Sequence, residues 1–385
     1  MPIWTWIPGL GPWKLGQRKK GAFLLGLFLL LLGLALWRTP VVGATLAHSY
    51  RAFRGDPIPF TTRHVDFLVA SLFLAALLAG LMVYAAFSYR RAIRRGPDVR
   101  GAAQSQSAIV WRQFRKNRLA VIGAVMILLL YLVAFLAPFL APADPTEQGH
   151  LVLERLLEPS SEHPVGTDRF ARDVFSRIIY GSRISLLVGF LAVAISTTIG
   201  TVYGSISGYY GGKIDALLMR FVDIMLSFPT LILIITIIGV WRNQSIWVII
   251  TIIGVTSWMG VARLVRGEFL VLKQLDFFQA ARALGAGPVR LIFRHLLPNA
   301  MTPIIISSTL LVGGTILLEA SLSFLGLGVQ PPTASWGNIV YDTKGNIFTE
   351  WWMPLASGLA ILVTVTAYNL LGDGLRDALD PRLRQ

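Results

Sequence analysis

Apolar and polar positions fall in long alternating blocks along this chain. A helix crossing roughly 30 Å of hydrocarbon needs about 20 apolar residues. Eight stretches meet or approach that length, at about 21–37, 67–89, 119–140, 184–206, 222–241, 245–263, 299–320 and 351–372. The first is the shortest, with Lys14, Arg18, Lys19 and Lys20 before it, and reads as an uncleaved anchor rather than a signal peptide. A polar linker with Gly96-Pro97 and residues 101–107 then separates two spans from six. The pattern predicts an all-α integral membrane protein with about eight transmembrane helices, two N-terminal and six in a core. Its expected divisions are 1–100, a two-helix extension with a basic linker; 101–183, one span with a long loop and an amphipathic helix; and 184–385, five spans. No repeat of 20–50 residues is visible.

Composition agrees with a bilayer. The chain is 54% hydrophobic and 14% charged, where soluble proteins carry about 25% charged residues. Its net charge of +15 is not that of a nucleic-acid binder, because the positives gather between apolar runs without interleaved aromatics. Counted by gap, 24 of the 35 lysines and arginines fall on the side of the N-terminus and 11 on the other. Basic residues stay cytoplasmic, so both termini and the loop at 268–299 are expected inside. Residues 90–118 are the strongest basic block and suit a stop-transfer and lipid-headgroup anchor. There is no cysteine, hence no disulfide, thiolate nucleophile or Cys–metal site.

Several polar features stand out between and within the spans. The outside segment 141–183 is acidic to Glu162; then Phe170, Val174 and Ile178 recur at helical spacing with arginines opposite. This predicts an amphipathic helix on the outer face, either a plain anchor or a ledge at a pore mouth or docked protein. Arg220 and Asp223, three apart, are expected to pair on one helix face. Glu319 lies at the outer end of the seventh span and reads as either a gate or pathway residue or a helix-end hydrogen-bonding group. Gly313 and Gly314 would permit close helix approach.

The stretch 276–299, DFFQAARALGAGPVRLIFRHLLPN, is a compact polar module between two apolar spans. Asp276 with Gln279 has the capping-box pattern. Ala280, Ala281, Arg282 and Ala283 are good helix formers, and Gly285 can close the helix in the left-handed conformation. Gly287 and Pro288 suit the start of a second helix, which Pro298 should end or kink. A helix of about two turns is marginal alone, so Phe277, Phe278 and Leu284 need cover, from a lipid surface or a partner protein.

This segment resembles the EAA signature of permease subunits of binding-protein-dependent ABC importers. There Glu-Ala-Ala is followed three residues later by Gly and, after nine more, by Ile-x-Leu-Pro. Here the series is Gln279-Ala280-Ala281, Gly285 and His295-Leu296-Leu297-Pro298, with Gln for Glu and His for Ile. VGTDRFARDVFSRIIYGSRISL, GGKIDALLMRFVDIMLSFP and EASLSFLGLGVQPP are similar to the dipeptide/oligopeptide/nickel branch, second-permease type; Ala171 stands where that branch often has Gly. The likeness runs from about residue 107 to 384 and leaves the first hundred residues aside.

The resemblance implies a type I permease core in the bacterial inner membrane and no enzyme activity in this chain. It implies a second homologous permease, two cytoplasmic ATPases that bind ATP and Mg, an extracytoplasmic solute-binding protein and a lipid surround. No Lys here is followed by Ser or Thr, so the chain has no Walker A phosphate loop. Asp276, Phe278, Gln279, Ala280, Ala281, Arg282, Gly285 and Pro298 are the expected coupling residues. Peptide is the first substrate reading, with nickel or another small solute as alternative. An ion-coupled secondary transporter would need midplane carboxylates, and an intramembrane hydrolase paired acids, HExxH or GxSxG; neither pattern is present.

Overall fold

The computed structural model describes Leu25, Gly26, Leu29 and residues 106–379, apart from 152, 242–244 and 346. The expected spans at 21–37 and 67–89 and the linker before residue 106 otherwise lie outside the described residues. Among the described residues every regular element is helical, with one isolated bridge between Thr167 and Asp173.

Helix α1 (Gln106–Lys116) breaks at Asn117, whose Oδ1 accepts from the Ala120 amide (3.2 Å) and so starts α2 (Arg118–Phe135). Asn117 Nδ2 also donates to Asp377 at 3.0 Å. On α2 only Ala120, Gly123 and Ala134 are buried, while Ile122, Leu128 and Leu129 are exposed, as suits a helix facing lipid. Phe135–Pro142 belongs to a different compact unit from Ser105–Ala134 and Ala143–Gln385. Taken by itself it holds one helical turn, α3 (Ala137–Leu140).

The longest helix, α4 (Val174–Tyr210), has 37 residues. The Asp173 carboxylate caps it, accepting from the Ser176 amide at 2.6 Å. The segment expected as a surface helix is different: residues 170–173 form a turn, and from Val174 the helix runs unbroken into the span. Two of its arginines face inward, while Arg169 stays exposed. Arg172 and Arg177 are 3% and 1% exposed, because Asp168 and Asp342 neutralise them. Ala171, with φ of 57°, makes the turn that glycine would make without strain.

Gly211 and Gly212, with φ of 67° and 54°, turn the chain into α5 (Gly212–Ser227). The span expected at 222–241 is bent: α5 meets α6 (Thr230–Trp241) at 83°. Pro229 causes the break, since it forces Phe228 into extended backbone, φ −89° and ψ 131°. Asp223 pairs with Arg263 of a later helix rather than with Arg220. Helices α7 (Ile246–Thr256) and α8 (Met259–Leu272) make one 27-residue span.

After α8 come α9 (Asp276–Ala283), α10 (Pro288–Arg290), a π-helical turn Leu291–Leu296, and α11 (Leu297–Phe324). Capped by Ser335, α12 (Trp336–Asp342) precedes α13 (Trp352–Leu379). Five helices in the described residues are long and apolar enough to cross a membrane, six with the bent pair counted as one.

Among the buried clusters that hold this arrangement, two bear on the site. Val188, Ile234, Ile249, Ile253 and Leu322 join α4, α6, α7 and α11. Val265, Phe269, Phe278, Leu291, Leu296 and Ala300 join α8 to the segment after it. Along one face α4 carries Gly200, Gly204 and Gly208, opposite Val261, Val265 and Phe269 of α8. A Cβ at Gly204 would lie 2.4 Å from the Ala262 carbonyl oxygen, so the two backbones approach as only glycine allows.

Candidate functional site

The module at 276–299 is built as helix, corner and helix. Leu275, not Asp276, is the N-cap of α9, with φ −81° and ψ 149°, so the expected capping box does not form. The frame is shifted by one residue: Asp276 opens the first turn, where its charge favours the helix dipole. Gln279 turns back instead, its Nε2 donating to the Lys273 carbonyl at 2.8 Å.

The corner is a complete Schellman motif. Gly285, at φ 80°, donates its amide to the Arg282 carbonyl (3.0 Å), and Ala286 donates to the Ala281 carbonyl (3.2 Å). Gly287 and Pro288 take the N-cap and N1 positions of α10, as expected. Pro298 does not end the helix. The π-helical turn just ahead of it widens the winding, which gives room to a ring that cannot donate to the fourth carbonyl back.

Burial divides the module into a root and a tip. Phe278, Leu291, Leu296 and Ala300 are buried against Val265 and Phe269 of α8, with Ala281 and Ala286 partly so. Burying Phe278 alone is worth about 1.5–3 kcal/mol. Asp276, Gln279, Ala280, Arg282, Gly285 and Pro298 are exposed. Leu284 is 89% exposed, with Val289 and Phe293 also open. Of the three apolar residues that needed cover, the fold covers Phe278 and leaves Leu284 bare.

Polar contacts fasten this root to α4 and α5. Lys273 Nζ donates to the Tyr209 and Gly208 carbonyls at 2.7 and 3.2 Å. Arg266 grips Asp215 through Nε (2.5 Å) and Nη2 (2.7 Å). Burial, and then the charge of Arg282, lower the Lys273 pKa below the ordinary lysine value, against the opposing pull of Asp215. Lys273, the Arg266–Asp215 pair and the glycine face of α4 were not singled out in the sequence. The four-residue spacing of Gly200, Gly204 and Gly208 was the available signal.

Glu319 and the glycines form a separate place. Glu319 is fully buried, its two oxygens accepting from Ser323 Oγ (2.8 Å) and Ser185 Oγ (3.3 Å), which ties α11 to α4. Gly313 does not mark a close approach, since a Cβ there would sit 3.5 Å from Val365, an ordinary contact. Gly314 faces open space. Four helices, α2, α4, α11 and α13, enclose an open cavity of about 500 Å³. Its walls are mostly apolar, with the rings of Phe190 and Tyr368 among aliphatic side chains, and carry hydroxyls that include Thr197, Ser308 and Tyr131.

Comparison with known proteins places this architecture. Residues 200–385 match the family described as binding-protein-dependent transport system inner membrane component. Residues 105–159 match the N-terminal transmembrane domain of oligopeptide transport permease C. The dipeptide transport system permease protein DppC of Bacillus subtilis is 41% identical over 293 residues, 76% of this chain and 91% of that protein. DppC of Haemophilus influenzae is 42% identical over 281 residues, 71% of this chain and 94% of that one. The glutathione transport system permease protein GsiD of Pectobacterium atrosepticum is 41% identical over 275 residues, 71% and 90%. This chain belongs to the binding-protein-dependent transport system inner membrane components: it is a multi-pass ABC-importer permease subunit, not itself an enzyme.

Proposed function

We propose that this subunit serves an ATP-driven peptide importer, forming half of the translocation pathway beside a second homologous permease. Relatives named for dipeptide and glutathione transport support a peptide substrate. The segment 276–299 docks on cytoplasmic ATPases that bind ATP and Mg, and an extracytoplasmic solute-binding protein delivers the peptide to the opposite face. Both termini are cytoplasmic in this reading, which rests on the lysine and arginine count.

One observation carries the coupling role: an exposed apolar tip on a buried root. Leu284, Val289 and Phe293 are open, whereas Phe278, Leu291 and Leu296 are buried in the permease. Such a tip suits insertion into a groove of another protein. The buried root suits transmission of displacement, because a rigidly seated helix moves with the body it is packed on.

The chain has no cysteine, so Leu284→Cys gives a single reactive site. The complex should then cross-link from position 284 to one ATPase subunit. Cross-linking only to lipid-anchored reagents, with the ATPase present and bound, would overturn the docking role. Import of a labelled dipeptide by reconstituted complex, with binding protein and ATP, tests the substrate class.

A further inference from the structure

The last carbonyls of any helix lack intrahelical donors. At the end of α4 the Gly211 amide takes the Ser207 carbonyl at 3.1 Å. The next two, of Gly208 and Tyr209, are taken by the Lys273 ammonium. Lys273 is itself the C-cap of α8, its amide donating to the Phe269 carbonyl at 3.0 Å. Its own carbonyl accepts from Gln279 of α9. One residue thus touches the end of α4, the end of α8 and the side of α9.

We propose that Lys273 is a positioning residue that makes α4 follow α9, passing displacement of the docking helix to the end of the longest span. The inference rests on the coupling role of α9. An ammonium at a helix C-terminus faces the negative end of the dipole, and charge-assisted bonds are about twice as strong as neutral ones. Lysine also suits a moving joint. Its donors rotate about one point, so α9 can tilt without releasing the carbonyls, where a planar guanidinium would demand a fixed angle. The body that moves is a rod of roughly 55 Å, from 37 residues at 1.5 Å each. Its far end, next to Asp173, carries the buried cluster of Arg177, Asp168 and Asp342.

The test uses the complete complex, with both permeases, the ATPases and the binding protein, in liposomes. Peptide import and ATP hydrolysis are measured together. Lys273→Met keeps the stem and removes the donors. It should lower import per ATP by about tenfold, a size ordinary for coupling between sites, with hydrolysis retained. Lys273→Arg restores donors in a fixed plane and should recover the ratio only in part. A ratio in Lys273→Met within about twofold of the unsubstituted complex would show that α4–α8 packing alone carries the movement, and would overturn the assignment. If Lys273→Met does not assemble, Lys273→Gln, which keeps a neutral donor on a shorter stem, should lower the ratio in the same sense; an unchanged ratio there also overturns it. The Leu284→Cys cross-link separates the two readings. Its absence refutes docking, whereas its presence with an unchanged ratio refutes only the role of Lys273.

Discussion

The two ends of α4 are held by opposite means. At the Asp173 end, two arginines and two aspartates sit together out of water: the side chains of Arg172, Arg177, Asp168 and Asp342 are each about 3% exposed or less. At the Tyr210 end the charges are wetter. Lys273 is half-buried, Arg266 and Asp215 are partly exposed, and Arg263 and Asp223 are about half exposed. Glycine packing on α8 seals that end, and a bare apolar tip lies beyond it. The ion pairs of the first end are made within this chain. The second ends in a bare Leu284, the place where the proposed partner would sit.

The sharpest way to break the comparison is to unbalance the buried cluster. Asp342→Ala leaves Arg172 and Arg177 short of an anion. Removing one partner of a buried pair costs about 3–5 kcal/mol, so a large fall in melting temperature of the detergent-purified protein is expected. At the other end Gly204→Ala drives a methyl into the Ala262 carbonyl and should cost about 1–3 kcal/mol in the same assay. Ala171→Gly relieves a left-handed alanine and should raise stability by about 0.5–1 kcal/mol. Leu284→Asp should shift the melting temperature of the isolated chain least, within about 0.5 kcal/mol, while removing the ATPases from the purified complex. A large loss of stability from Leu284→Asp, or none from Asp342→Ala, would erase the distinction between the ends.

The spans were legible in the sequence because length and apolarity alone define them. The core stretches at 119–140, 184–206, 299–320 and 351–372 all overlap long helices. The bend at Pro229 was less so. Its residues have the hydropathy of one span, and only the restriction on Phe228 announces the turn. In the 276–299 module the corner was readable, because few residues but glycine take φ near 80°. The cap was not, since a one-residue shift moved it to Leu275 and freed Gln279 for Lys273. The fate of the arginines was the least legible. Arg172 looks solvent-facing beside its neighbours, and its partner Asp342 lies 170 residues away. No local pattern carries a contact of that range.

The sealed cluster also has a consequence for ionic strength. Mobile ions screen exposed charges over about 8–10 Å at ordinary salt, and reach buried pairs far less. The Arg263–Asp223 pair lies open to them, and the cluster of Arg172, Arg177, Asp168 and Asp342 does not. Salt therefore acts more strongly on one end of this helix, since at the other it is the rim contact of Arg169 with Asp342 that lies open to it. It loosens the electrostatic ties near the 276–299 module and leaves the buried pairs of the opposite anchor nearly as firm as before.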